Sequence, residues 1–204
     1  MGVGIDKVRF EVVFGKEKVV LEANLRGSHF VENLLGAILI ARNKGVVWEA
    51  IKRACLSLET IRGTMKVRSS KDVVVIDDTH NATPAGFRSA LEYLKAFKNK
   101  KKIVITPGII ELGNLAGKIH EDLGRRLSKT ADMIIVTDNT NGDLISKGFK
   151  ESGGLLATEN LGEIIGKLKE GLKGKWVILM EGRIPGKVYE YVSTLLSLRG
   201  TKQS

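Results

Sequence analysis

The polar residues best able to do chemistry in this sequence stand directly after apolar stretches. The segment VVVIDDTHNATP, residues 73–84, carries four side chains that could bind a ligand: Asp77, Asp78, His80 and Asn81. Carboxylates accept hydrogen bonds from sugar hydroxyls, and His80 is the group of this segment that titrates near neutral pH. Thr83 and Pro84 would begin a helix whose N-terminal amides favour a phosphate or carboxylate. Simple capping of that helix explains the same residues equally well.

Three more loops with polar residues follow predicted strands. They are TPGIIELG (106–113), TDNTNGD (137–143) and EGRIPGK (181–187), and they contribute four candidate ligand-binding residues: Glu111, Asn139, Glu181 and Arg183. Ligands of open α/β sheets gather beyond the carboxyl ends of the strands, so the four loops are expected to meet at one edge. No His or Cys pair has metal-ligand spacing, and we predict no metal site in this chain. Walker A, G-x-G-x-x-G and nucleophile-elbow motifs are absent from the sequence.

The elements that must position these loops alternate regularly from residue 73 onward. The predicted strands are 73–78, 102–107, 132–138, 155–158 and 176–182, and the predicted helices are 87–97, 116–129, 142–152, 161–172 and 188–198. Strands this apolar are covered on both faces, which indicates an α/β fold with a mostly parallel sheet.

A different pattern precedes residue 66. Strands at 8–14 and 18–24 form a predicted hairpin, and two helices, 27–45 and about 47–58, follow. His29 and Asn33 are four residues apart, so they share one face near the start of the first helix. A capped helix with a partly buried histidine accounts for that pair as well. We therefore divide the chain into domains 1–66 and 67–204, of which the first is small for an independent fold.

The bulk composition narrows the function classes. The net charge is +10, from 33 Lys and Arg against 23 Asp and Glu, which attracts polyanions. The densest cluster, KNKKK at 98–102, has no interleaved aromatic residue, so nucleic-acid binding is disfavoured. No apolar run approaches the roughly 20 residues of a membrane span, and the N-terminus lacks the order of a secretory signal. With a single cysteine, Cys55, the economical expectation is a cytoplasmic protein.

Taken together, these segments resemble the Mur ligases, and most closely the branch that adds D-alanyl-D-alanine to the UDP-muramoyl-tripeptide. The family's G-x-H-N-x-x-N corresponds to GSHFVEN at 27–33, and its D-D-S-Y-N-A-N-P corresponds to DDTHNATP at 77–84. Its G-x-x-E-L-G corresponds to GIIELG at 108–113, which is followed by His120 and Gly124 of its H-x-x-x-G. The resemblance implies a C-terminal Rossmann-like domain behind a remnant of the central ATPase domain.

The resemblance also implies roles for individual residues. Family members phosphorylate a carboxylate with ATP and then let an amine attack the acyl phosphate. On that template Asn33 and His29 lie by the adenine, and Asp78 binds the ribose. His80 and Asn81 face the phosphates or the incoming amine. The family's G-R-M corresponds to Gly63-Thr64-Met65, and Arg62 or Arg68 would supply the nucleotide contact of the missing arginine. The implied substrate contacts come from Asn81, Thr83, Glu111, Asn139, Glu181 and Arg183.

Several departures from the family pattern bear on activity. The UDP-sugar-binding domain, the G-K-T/S phosphate loop and the magnesium ligands have no counterpart in this sequence, and threonine replaces the arginine of G-R-M. The D-N-P-R signature of the diaminopimelate-adding branch is only half matched, at 138–141. We expect ATP and Mg²⁺ to serve the complete enzyme, with the Mg²⁺ ligands outside this chain.

The implied partners are ATP, an N-terminal ligase half from the same gene or a separate subunit, a UDP-linked peptide and a D-alanyl-D-alanine-like amine. The chain by itself is expected to have no ATPase activity. The alternative is a non-catalytic nucleotide- or partner-binding module derived from such a ligase, with a homodimer as one way to cover residues 1–66.

Overall fold

The computed structural model describes residues 2–3, 7–149, 154–172 and 174–197. The chain divides into two compact units, Met1–Ile61 and Arg62–Ser204. The division falls five residues before the boundary predicted from sequence. Residues 62–66 belong with the second unit because their backbone hydrogen-bonds to the end of its first buried strand. Each unit is described by itself.

The first unit is a small antiparallel sheet with two helices. Strands β1 (Gly2–Val3), β2 (Val8–Phe14) and β3 (Glu17–Ala23) pair in that order, and helices α1 (His29–Asn43) and α2 (Trp48–Leu56) follow. Residues of β2 alternate between buried and exposed, so one face of the hairpin packs inward. The predicted hairpin and both predicted helices are confirmed.

The second unit is built on a six-stranded sheet. In chain order its strands are β4 (Lys66–Ser69), β5 (Val73–Asp78), β6 (Lys101–Thr106), β7 (Met133–Val136), β8 (Gly154–Ala157) and β9 (Trp176–Glu181). Their order across the sheet is β4-β5-β9-β6-β7-β8, and every neighbouring pair is parallel except β4 with β5. The predicted mostly parallel sheet is confirmed, while the polar edge strand β4 was not predicted.

Within the described ranges of the second unit, five helices cover the two faces of this sheet. They are α3 (Pro84–Lys95), α4 (Ala116–Ser128), α5 (Asn139–Gly148), α6 (Leu161–Gly171) and α7 (Gly186–Ser197). Helices α6 and α7 pack on the alternate strand residues that include Val75, Ile105 and Ile178. Helices α3, α4 and α5 cover the opposite face, with α3 against β9 and α5 against β7.

Most helix boundaries lie within a few residues of those predicted. The largest differences are α3, which starts at Pro84 because Thr83 caps it, and α5, which starts at Asn139 because Asp138 caps it. Residues 150–152 of the predicted helix 142–152 and Leu198 of the predicted helix 188–198 lie outside the described residues. Among the described residues, no helix has the length and apolarity to cross a membrane.

The position of β9 determines where a ligand can bind. The chain runs from β5 through β6 and β7 to β8, and then returns to insert β9 between β5 and β6. Such a reversal opens a crevice at the carboxyl ends of the central strands. The carboxyl ends of β5, β9 and β6 therefore form the rim of the candidate site.

Candidate nucleotide site at the carboxyl rim of the sheet

Two carboxyl groups lie side by side at the centre of this rim. Asp78 and Glu181 are paired residues at the last positions of β5 and β9, and side chains at paired positions point to the same face of the sheet. Asp78 is 8% exposed and Glu181 is 0% exposed. Burial raises the pKa of Asp78 to about 6, although a hydrogen bond from the Met65 backbone opposes the shift. Burial and the adjacent Asp78 charge raise the pKa of Glu181 well above its usual range.

Asp78 is held in place by the segment that enters the second unit. The Met65 N–H donates to Asp78 Oδ1 over 3.1 Å, and Met65 adopts a left-handed φ of 49° although it is not glycine. Nearby, the His80 N–H donates to the Gly63 carbonyl oxygen over 2.9 Å. A left-handed non-glycine residue costs about 1–3 kcal/mol and persists where the surrounding structure requires it. Here the unusual backbone directs an amide at the carboxylate.

The loop after β6 is fixed from two helices. His120 on α4 is fully buried. Its Nε2 accepts a hydrogen bond from the Ile109 N–H over 3.0 Å. Its Nδ1 donates to the Ala116 carbonyl oxygen over 2.9 Å. Burial lowers the pKa of His120, which keeps the ring neutral in this tautomer. From α5, Asn141 Nδ2 donates to the Pro107 carbonyl oxygen over 2.8 Å.

The loop after β9 packs against two of the other loops. A Cβ built on Gly182, which has a φ of 77°, would lie 3.3 Å from Ala82 Cβ, 3.5 Å from the Gly108 carbonyl oxygen and 3.6 Å from Pro107 Cδ. Together with the Asn141 contact, this brings the loops after β5, β6, β7 and β9 to one edge. The predicted convergence of four loops is confirmed.

Glu111 stands on the loop after β6 in a strained conformation. Its φ is 62°, in the left-handed region that side chains other than Gly, Asn and Asp rarely adopt, and the residue is exposed. Strain of this kind concentrates at ligand-binding positions. The geometry supports Glu111 as a candidate ligand contact, although its sequence position alone was the basis for the prediction.

Three of the polar residues after Asp78, namely His80, Asn81 and Thr83, differ in what they can do. His80 and Asn81 are exposed, and the structure shows no side-chain partner that would occupy either within the described part of the chain. Thr83 Oγ1 accepts from the Gly86 N–H over 3.0 Å and caps α3. His80 and Asn81 therefore have side chains available to a ligand, and Thr83 has a structural role in addition to any binding role.

Two arginines line a cleft beside α7. The cleft has a volume of about 590 Å³, and its lining includes Arg62, Arg183 and Tyr189. The Arg62 guanidinium lies over the Tyr189 ring, 5.2 Å from its centroid, and the Tyr189 hydroxyl donates to Asp77 Oδ2 over 2.9 Å. The Asp77 carboxylate therefore accepts a hydrogen bond on the face of the sheet opposite to Asp78. Both arginines are exposed.

The other candidates have separate positions. Asn139, the first residue of α5, is exposed, and its backbone N–H donates to Glu159 Oε1 over 3.3 Å. In the first unit, His29 and Asn33 lie in the opening turns of α1, and Asn33 is exposed. Burial lowers the pKa of His29, whose ring centroid is 4.2 Å from that of Phe30.

Sequence reasoning did not anticipate the supporting residues Met65, His120, Asn141 and Tyr189 as parts of the site. His120 lies in the H-x-x-x-G match and Asn141 in the segment 138–141, so these polar residues could have been proposed as parts of the site from the sequence. Nothing in the sequence indicated that Met65 would adopt a left-handed conformation. Within the described residues, no group of three or more His, Cys, Asp and Glu side chains is arranged to hold a metal ion.

The second unit belongs to the class of parallel α/β domains whose ligands bind beyond the strand ends at a switch in strand order. The family model for the Mur ligase, glutamate ligase domain, matches residues 63–183. The chain belongs to this family, and the resemblance seen in the sequence is confirmed.

Relatives and solved structures agree with this assignment. A UDP-N-acetylmuramoyl-tripeptide–D-alanyl-D-alanine ligase from Synechocystis is 25% identical over 133 residues, which are 64% of this chain and 29% of that protein. A UDP-N-acetylmuramoyl-L-alanyl-D-glutamate–2,6-diaminopimelate ligase from Caldanaerobacter subterraneus is 30% identical over 170 residues, or 81% of this chain and 30% of that protein.

Among solved structures, MurF from Acinetobacter baumannii superimposes with a TM-score of 0.79 at 23% identity, covering 96% of this chain and 43% of that one. MurF from Thermotoga maritima, solved in complex with ADP, gives a TM-score of 0.74 at 24% identity, covering 96% and 48%. At these identities the superpositions show the fold. The chain spans less than half the length of these relatives.

Proposed function

We propose that this chain is the C-terminal part of an ATP-dependent ligase of cell-wall peptide synthesis, which joins a carboxylate to an amine through an acyl phosphate. In this proposal Asp78 accepts hydrogen bonds from the ribose hydroxyls of the nucleotide. His80, Asn81 and Glu111 face the reacting groups, and the incoming amine is of the D-alanyl-D-alanine kind.

The observation that carries this proposal is the position of Asp78. It ends β5 at the switch in strand order, a backbone amide fixes one of its oxygens, and it is 8% exposed at the rim. A carboxylate with one oxygen fixed offers the other at a defined angle to a ligand hydroxyl. The family assignment and the ADP complex of a MurF structure supply the class of ligand.

The chain's residues fit the nucleoside part of ATP better than the metal. Mg²⁺ takes six oxygen ligands in near-ideal octahedral geometry, and among the described residues no third carboxylate or histidine is arranged with the Asp78–Glu181 pair to hold a metal ion. When bound, Mg²⁺ would neutralise charge on the phosphates. In this proposal its ligands come from another part of the ligase, and Asp78 orients the ribose.

A direct test is ADP binding to the chain by isothermal titration calorimetry. We expect the unmodified chain to bind ADP weakly and saturably. Asp78→Asn should lower the affinity at least about tenfold, because it removes a charge-assisted hydrogen bond. Asp122→Asn should leave the affinity unchanged. Asp122, the control, is a half-buried residue of α4 that pairs with Arg126. Equal affinity of Asp78→Asn and the unmodified chain would refute the assignment of Asp78.

A second test concerns turnover. In this proposal the chain alone hydrolyses no ATP, because its described residues offer no phosphate-cradling loop of the Walker type. Phosphate release should equal the buffer control in the presence of Mg²⁺. Release above that control, abolished by Asp78→Ala, would show that the chain is a complete catalyst.

The apolar surface of the first unit indicates where the rest of the ligase would dock. A cleft of about 230 Å³ between α1 and α2 is lined entirely by apolar side chains and Cys55, and large exposed apolar residues stand on the same helices: Leu35, Leu39, Ile40 and Leu56. Contiguous apolar patches on soluble proteins mark interaction sites. We propose that another part of the ATPase domain covers this surface.

Light scattering after size exclusion tests the docking proposal. The chain should self-associate, and the double substitution Leu39→Gln with Ile40→Gln should restore a monomer, because these side chains are 53% and 66% exposed. Ile110→Gln is the control, since Ile110 is 41% exposed in the second unit. A chain that is a clean monomer and binds no hydrophobic dye would count against an apolar docking surface.

A further inference from the structure

The proposed function gives no role to the buried carboxyl of Glu181. It is completely buried at the end of β9, and neither of its oxygens receives a hydrogen bond from a donor in the described part of the chain. An ionised carboxylate in such a place would leave a full charge without compensation, which is among the most unfavourable arrangements in a protein interior. Its neighbour in register is another carboxyl, that of Asp78.

The charged groups around the pair do not offer compensation. Asp77, on the opposite face of β5, adds a further negative charge and is already bonded to the Tyr189 and Thr79 hydroxyls. Among the described residues, no cation is found to act on either Asp78 or Glu181. Two backbone donors close to the pair already have acceptors: the Met65 N–H donates to Asp78 Oδ1, and the Gly182 N–H donates to the Asp78 carbonyl oxygen.

From this geometry we infer that Glu181 is a positioning residue: its carboxyl keeps its proton and through it donates a hydrogen bond to Asp78, which keeps Asp78 ionised and oriented toward the ribose. The proton gives Asp78 a second donor beside the Met65 N–H and leaves the buried Glu181 uncharged. A carboxylic acid donating to a carboxylate is a short, charge-assisted bond. The part of this inference that concerns ribose rests on the proposed function, whereas the shared proton does not.

The assignment changes the interpretation of Glu181 from a substrate contact to a residue that acts through Asp78. At 0% exposure it reaches no ligand directly. The raised pKa of Asp78, about 6, means that a second proton enters the pair at mildly acidic pH, and Asp78 then ceases to be a good acceptor. Nucleotide affinity should therefore fall as the pH is lowered through about 6.

The ribose contact is tested by ADP titrations between about pH 5 and pH 8, a range that spans the Asp78 pKa of about 6. Glu181→Gln keeps a donor for Asp78, so its affinity at pH 8 should stay within about twofold of the unmodified chain. Glu181→Met keeps the volume but removes the donor, so its affinity should fall about tenfold, and its acid limb should move to higher pH. Glu170→Gln, an exchange on the exposed end of α6, is the control and should reproduce the unmodified profile.

The proton itself is tested without nucleotide, by ¹³C NMR of the side-chain carboxyls with assignments from Asp78→Asn and Glu181→Gln. We expect one carboxyl of the pair to remain protonated at pH 7. Two ionised carboxyls at pH 7 would overturn the inference, and so would an unchanged pH profile and affinity in Glu181→Met. If no variant binds ADP at any pH, the proposed function fails, and the NMR result still decides whether the proton is shared.

Discussion

The contact between α4 and α5 provides a sharp test of how the rim is built, because two glycines allow the helix backbones to touch. A Cβ added at Gly124 would fall inside contact distance of the Ile145 carbonyl oxygen and 3.2 Å from Gly148 Cα. A Cβ added at Gly148 would likewise meet the Glu121 carbonyl oxygen. Since His120 on α4 and Asn141 on α5 fix the loop after β6, this packing also sets the geometry of the candidate site.

The magnitude follows from the kind of atom that is met. The obstacle for Gly124→Ala is backbone, which cannot rotate away, so the helices must separate by roughly 1 Å, and a gap of that size forfeits about a quarter to a half of each dispersion contact. Overpacking costs about 1–3 kcal/mol, and we expect the upper end here. At about 2–4 °C per kcal/mol for a chain of this size, the transition of the second unit should fall by roughly 6–12 °C.

Differential scanning calorimetry measures this shift, and Gly166→Ala is the matched control. Gly166 also lies within a helix, α6, but a Cβ there would meet no atom within 4 Å. Alanine has the better helix propensity, so the control should gain about 0.5–1 kcal/mol. If Gly124→Ala were as stable as Gly166→Ala, the close approach of α4 and α5 would be refuted.

Three further predictions concern the rim. Asp78→Asn should stabilise the fold at pH 8 by up to about 3 kcal/mol. The pKa of Asp78 is raised from 3.8 to about 6, so the folded state holds this proton more tightly than the unfolded chain. The unmodified protein therefore loses stability as the pH rises through that window. Urea denaturation should show the gain vanishing near pH 4, about the unfolded pKa, and an equal gain at both pH values would contradict the shift. His120→Ala should cost about 2–4 kcal/mol and speed hydrogen exchange at the Ile109 amide, which loses its acceptor; unchanged exchange would refute that role. Glu111→Gly should stabilise the fold by about 0.5–1 kcal/mol by relieving a φ of 62°, and a lower melting temperature would instead reveal a stabilising contact of the side chain.

The sequence was informative where structure is local. A buried parallel strand is a continuous apolar run, and for this reason β5 was predicted with its observed bounds, Val73–Asp78. Strand β4 (Lys66–Ser69) has mostly polar residues, and it is a strand only because it pairs antiparallel with β5 at the sheet edge. No local pattern could have indicated that pairing.

The candidate site was predictable only in part, for the same reason. Loops after parallel strands meet at one edge whatever the strand order, so the convergence of the four loops followed from the alternation of strands and helices. The adjacency of Asp78 and Glu181 depends on β9 lying beside β5, which is a property of the strand order. The left-handed conformation of Met65 depends in turn on the position of Asp78.

Energetically unfavourable features concentrate at this rim, and they are seen in the structure without reference to any family resemblance. The second unit keeps a buried acid pair at Asp78 and Glu181, and the two left-handed non-glycine residues found in its described part, Met65 and Glu111, lie in rim segments. A fold under selection for stability alone would replace the pair with apolar residues of similar volume at little or no loss. Strain and buried charge persist where a site requires a particular arrangement of polar groups. Their co-location at the strand ends therefore supports a ligand site at this edge on physical grounds.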